Sequence, residues 1–148
     1  QGRVRSIGVS NFPQAQLEEI IEATGVTPVI HQIELHPYFN QQALRELGAQ
    51  HGIVTEAWSP LGRKTDLLQD PWLVEIARKV GRTPAQVALR WHVQSSIVAI
   101  PKSSNTERMA ENIDVFEWEL TDEQMERVRM LHTGISGSGF DPSVHEEM

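Results

Sequence analysis

Four times along this chain an apolar, β-branched run stops abruptly at a polar side chain and a helical segment follows: Val4 to Asn11, Val29 to Glu34, Ile53 to Ser59 and Ile97 to Ser103. Strands of a parallel sheet are buried on both faces, so polar groups that touch ligands collect at their carboxyl ends. The pattern predicts an α/β fold of about four parallel strands with helices, and a ligand rim where the strands end.

Length limits the architecture further. A closed TIM (β/α)8 barrel needs about 250 residues, and 148 residues hold roughly half of its strand-plus-helix units. Half a barrel is what fits. The chain opens at Gln1-Gly2-Arg3 without an initiator Met, in a stretch that reads as a loop feeding a strand. It is therefore taken as the carboxyl-terminal half of a barrel, truncated from a longer polypeptide, with the half-barrel over residues 1–133 and a flexible tail over 134–148.

Helix punctuation agrees with this spacing. Pro13 suits a first helical turn, Leu17, Ile20 and Ile21 follow at i, i+3, i+4, and Gly25 supplies the stop. Asn40 is expected to cap a second helix carrying Leu44 and Leu47. Asp70-Pro71 opens a third with Leu73, Ile76, Ala77 and Val80 inward and Gly81 behind it. Thr83-Pro84-Ala85-Gln86 is a capping box with Pro at the first helical position, so two helices lie between the third and fourth strands. A short helix over about 106–112 follows the fourth strand, and Thr121 caps a last one reaching about Leu131. The Gly/Ser-rich composition after Gly134 predicts that Ser136 to Met148 are mobile.

Composition excludes several function classes. No apolar run approaches the roughly 20 residues that cross a bilayer, and no basic, apolar leader is present. Without cysteine, thiolate metal sites and cysteine nucleophiles are ruled out. A net charge of -7 argues against a broad nucleic-acid surface, so any phosphate recognition must be local. The cytoplasm is the expected location.

The strand ends carry the candidate chemistry. Ser10, Asn11 and Gln32 supply uncharged donors and acceptors suited to a carboxamide, although local sequence alone favours Ser10 and Asn11 as caps of the helix that begins near Pro13. Trp58 offers a flat face for an aromatic ring, or is a core residue. The Ser59-Pro60-Leu61-Gly62 loop after it lets backbone approach a ligand closely. Lys102 and Ser103 lead into a helix start that carries Arg108, where free N–H groups and the positive dipole end make a compact anion site. The alternative is an ordinary capped helix with solvated cations. His31 and His36 have no companions at metal-ligand spacing, so no metal is assigned.

Several blocks resemble the carboxyl-terminal half of an aldo-keto reductase, near the bacterial diketogluconate reductase-like members: VRSIGVSNF (4–12), HQIELHPYFNQ (31–41), EAWSPLG (56–62), TPAQVALRW (83–91) and IPKSSNTERMAENIDVFEWEL (100–120). They occur in the family's order. The resemblance implies an NADPH-dependent barrel with these strands in positions five to eight. Ser10, Asn11 and Gln32 would hold the nicotinamide carboxamide, Trp58 would stack on the ring, and Ser59 and Leu61 would line the pyrophosphate. Lys102, Ser103 and Arg108 would clamp the 2′-phosphate, and Glu111 and Asn112 would reach the adenine end. The family's catalytic Asp, Tyr, Lys and His lie in the amino-terminal half, outside this sequence, and the single Tyr, Tyr38, does not match the catalytic one. The intact parent should reduce aldehydes or ketones, while these 148 residues alone should be inactive. Substrate choice would involve the tail, including Phe140 and His145. A half-barrel leaves two unpaired edges, so an amino-terminal half or a second copy is the expected partner. The competing readings are a non-catalytic NADPH-binding module and a phosphosugar-binding barrel fragment in which Lys102 and Arg108 hold a substrate phosphate.

Overall fold

The computed structural model describes residues 2–139. Four strands, β1 (Gly8–Ser10), β2 (Ile30–Glu34), β3 (Val54–Trp58) and β4 (Val98–Ala99), form one sheet in chain order. Every pairing is parallel. The connections carry α1 (Gln14–Thr24), α2 (Gln42–Gln50), α3 (Pro71–Val80) and α4 (Pro84–Gln94), and α5 (Thr106–Ile113) and α6 (Asp122–Arg129) follow β4.

The helix signals are realised at their predicted places. Gly25 and Gly81 take φ of 67° as left-handed stops to α1 and α3, a conformation that costs glycine least. Asp70 accepts from the amides of Trp72 and Leu73, and Thr83 closes its capping box with Gln86. At α2 the expectation is off by one residue. Gln41, at φ 45°, holds the cap position, and Asn40 stands before it with its side-chain oxygen accepting from Gln42 N at 3.2 Å. The left-handed turn at Gln41 displaces the helix start by that one residue.

Register separates the two faces of the sheet. Gln32 pairs with Glu56 and Ile33 with Ala57, so Gln32, Glu56 and Trp58 share one face with Ser10, and Ile33 and Ala57 share the other. The Ile33 face is the buried one. Ile33, Ala57, Leu73, Ile76, Val87, Ala88 and Trp91 pack there in one cluster beneath α3 and α4. Beyond α4, Gln86, Arg90 and Gln94 recur every four residues and grip the end of α5 and the chain after it. Gln86 donates to the carbonyls of Glu111 and Asp114, Arg90 to that of Val115 at 2.9 Å, and Gln94 to that of Leu120 at 3.0 Å.

The Gly/Ser-rich segment expected as a flexible tail carries hydrogen bonds over its described part. Thr133 and Gly134 donate to the carbonyl of Tyr38, and the chain from Ser136 to Ser138 returns to the end of β2. The expectations for 140–148, Phe140 and His145 included, fall outside the described residues.

Candidate functional site

Parallel strands place all carboxyl ends on one side, so Asn11, Glu34, Trp58 and the β4–α5 connection share a rim. β1 ends at Asn11, whose N–H extends the ladder to the carbonyl of Gln32 at 2.9 Å and whose φ is 57°. β3 ends the same way, with Ser59 at φ 50°. Non-glycine residues held left-handed are uncommon, and such positions cluster at ligand sites.

Asn11 does not cap α1; Pro13 holds that position without a side-chain bond. Its side-chain oxygen instead accepts from the indole N–H of Trp58 at 2.8 Å. The bond joins the ends of β1 and β3 across β2 and fixes the indole relative to an amide. Trp58 is only half-buried, so it is a rim residue, not a core one. One layer below, Gln32 donates through Nε2 to a carboxylate oxygen of Glu56 at 2.5 Å. Ser10 and Gln32 face a concavity on the open side of the sheet with Gly8 and Glu56.

A cleft of about 670 Å³ opens at the rim, lined by Asn11, Phe12, Glu34, Phe39, Trp58 and His132 among others. Glu34 was not singled out from the sequence. Its carboxylate is buried, which by itself raises its pKa, but hydrogen bonds from His36, Ser136 and Ser138 outweigh burial and hold it down at about 2. The only sequence signal was an acid at the end of a buried strand. Tyr38 donates to Asp70 at 2.8 Å, and burial, then that bond and the neighbouring negative charge, push its hydroxyl up to about 12.

The anion-site residues lie on the same rim, one strand over. Ile100 N–H bonds the carbonyl of Ala57, so the chain leaves β4 alongside β3 and reaches Lys102. Asn105 caps α5 by accepting from Arg108 N at 2.9 Å, and the Ser103 hydroxyl bonds within this turn. Lys102 and Arg108 are exposed, and among the described residues neither takes part in an ion pair. Glu111 and Asn112 fall at i+3 and i+4 from Arg108 on one face of α5. Asn112 also borders an apolar groove with Met109 and Phe116. The Ser59 carbonyl accepts from Gly62 N, and Leu61 packs against the core. The structure thus brings Asn11 and Trp58 into contact and Ser10 beside Gln32, with Lys102, Ser103 and Arg108 as a second group along the rim.

The profile of the Aldo/keto reductase family matches residues 1–132. The chain belongs to the aldo/keto reductase family. Among its relatives, 2,5-diketo-D-gluconic acid reductase B of Corynebacterium sp. (strain SHS752001) is 52% identical over 147 residues, 99% of this chain and 53% of that protein. Morphine 6-dehydrogenase of Pseudomonas putida is 49% identical over 95% of this chain and 51% of its own length. A crystal structure of a Gox0644 mutant in complex with NADPH superposes with a TM-score of 0.92 at 49% identity, covering 99% of this chain and 54% of that one. The chain therefore spans about half the length of the aldo/keto reductases it matches, and its four parallel strands are a half-barrel portion of that fold.

Proposed function

We propose that this chain is the cofactor-binding half of an NADPH-dependent carbonyl reductase. The Asn11–Trp58 hydrogen bond carries the reading, because it presents an oriented indole face at a strand-end rim beside an amide whose two N–H donors are not needed for that bond. Asn11 and Ser10 would donate to a nicotinamide carboxamide. Gln32, with Nε2 engaged by Glu56, would accept through its oxygen. Trp58 would stack on the ring, and Ser59 and Leu61 would flank the pyrophosphate. Lys102, Ser103 and Arg108, at the start of α5, suit a 2′-phosphate, with Glu111 and Asn112 toward the adenine; the absence of ion pairs to either cation among the described residues supports this.

Bound NADPH supplies a hydride to a carbonyl carbon, and the alkoxide then needs a proton. Tyr38 is unsuited to give it, since its proton is held by Asp70 and its pKa lies far above neutral. The general acid is assigned to a part of the parent outside these 148 residues, so this chain alone should bind cofactor without turnover. The half supplying it would pair with the edges at β1 and β4; a second copy is the other partner that fits them. A cytoplasmic location is part of the same proposal. No helix among the described residues is long and apolar enough to cross a membrane.

Titration with NADPH and NADH, followed by indole emission, tests the proposal. Saturable quenching is expected, tighter for NADPH, with aldehyde reduction only after a tetrad-bearing half is joined. No saturable change with either cofactor would refute the site, and binding without reduction in the joined protein would make the chain a non-catalytic module.

A further inference from the structure

Glu34 collects more donors than any other carboxylate at the rim. Ser136 Oγ and Ser138 Oγ each donate to Oε2 at 2.5 Å, and the amides of Gly137 and Ser138 donate to Oε1 at 2.9 and 3.0 Å. Successive amides converging on one oxygen form an anion nest, here filled by the protein's own carboxylate. Glu34 is the cross-strand neighbour of Trp58 and lines the same cleft. The nest is tight on its other side as well: a Cβ at Gly137 would lie 2.3 Å from the carbonyl of Arg63 in the loop after β3. The returning segment is thus wedged between the end of β2 and the loop that follows Trp58, and His132, just before it, lines the cleft.

We infer that Glu34 is a positioning residue of the cleft: through the nest at Ser136–Ser138 it clamps the carboxyl-terminal segment against the rim and sets the wall that a substrate beside Trp58 meets. That role rests on the cofactor reading of the rim; the clamp itself does not. A charged clamp suits a task that a neutral contact serves poorly, since a carboxylate accepts from four donors at once without offering one in return.

Amide deuterium exchange on the whole chain tests this with two variants that act from opposite sides. Glu34→Ala removes the carboxylate, and Gly137→Ala pushes the segment off the Arg63 carbonyl without touching β2. Exchange at Gly137 and Ser138 should accelerate at least tenfold in both, while amides of α3 and α4 keep their wild-type rates. Sodium acetate, which replaces the deleted atoms, should restore protection in Glu34→Ala and leave Gly137→Ala unaffected. Unchanged exchange at Gly137 and Ser138 in either variant, acceleration spread evenly over α3 and α4 in both, or no acetate effect in Glu34→Ala would overturn the clamp. NADPH affinity of Gly137→Ala is measured in parallel and should stay within twofold; a larger loss of cofactor there would make the segment part of the general scaffold and overturn the clamp. A wild-type chain that fails to bind NADPH would instead sink the cofactor reading and leave the exchange result standing.

Discussion

Arg108 and Trp58 sit at the two ends of the proposed dinucleotide path, and single substitutions separate their contributions. On the proposed reading, Arg108→Ala would remove a charge-assisted bond to the 2′-phosphate, worth about 1.5–3 kcal/mol, and should weaken NADPH roughly ten- to a hundredfold with little effect on NADH. Competitive titration of the two cofactors checks this, and equal weakening of both would move the phosphate elsewhere. Trp58→Ala should weaken both cofactors alike, because the nicotinamide ring it is proposed to stack on is common to them. Asn11 and Trp58 were each readable in the sequence as strand-end groups, but not their mutual bond, since residues 47 positions apart meet only once the register is set. Glu34 was invisible for the same reason, carried further. Its partner Ser136 lies 102 positions downstream, and an acid at a strand end looks identical whether it faces water or five donors.

At the level of elements, the stops and caps were legible because they are local: Gly25, Gly81, Asp70 and the Thr83 box each act within a few residues. What α4 does was not, although the block 83–91 was among the segments that carry the family resemblance. Gln86, Arg90 and Gln94 form a polar stripe on a largely buried helix and hold the α5–α6 connection by its carbonyls, so α4 positions the helix that carries Arg108. Gln86→Ala strips the Glu111 and Asp114 carbonyls of their side-chain donor and breaks the capping box as well. It should cost about 1–3 kcal/mol in urea unfolding and loosen NADPH more than NADH, by shifting α5. A stability loss with both affinities unchanged would show that α5 holds its place without α4.

The half-barrel could be read from the count of strand-plus-helix units, because parallel strands need long crossovers and 148 residues supply few of them. Its open face confirms the alternation: Val54 and Val98, on the side shared with Gln32 and Trp58, are 44% and 45% exposed, whereas Ile33 and Ala57 opposite are buried. The buried side also governs how the whole molecule responds to acid. His92 is fully enclosed, with Nδ1 2.7 Å from the carbonyl of Ala88 and Nε2 3.1 Å from that of Leu35, and a neutral ring donates to only one of them. Burial, aided by His36 and Arg45, still outweighs both carbonyls and brings its pKa from 6.5 down to about 4. The unfolded chain therefore takes up a proton at this site before the native one does. Stability is unaffected by His92 above pH 6.5, falls as pH drops from 6.5 to 4, and loses about 3 kcal/mol in full below that. Glu34, depressed from 4.5 to about 2, acts in a lower window: its stabilisation is complete above pH 4.5 and is lost on descending to 2. Urea midpoints measured between pH 7 and 3 should decline in two stages. In His92→Gln, which has nothing to titrate there, the decline between 6.5 and 4 should become shallower while the lower stage persists, the remainder coming from buried His31, whose pKa burial also lowers; an unchanged upper stage would assign it to His31.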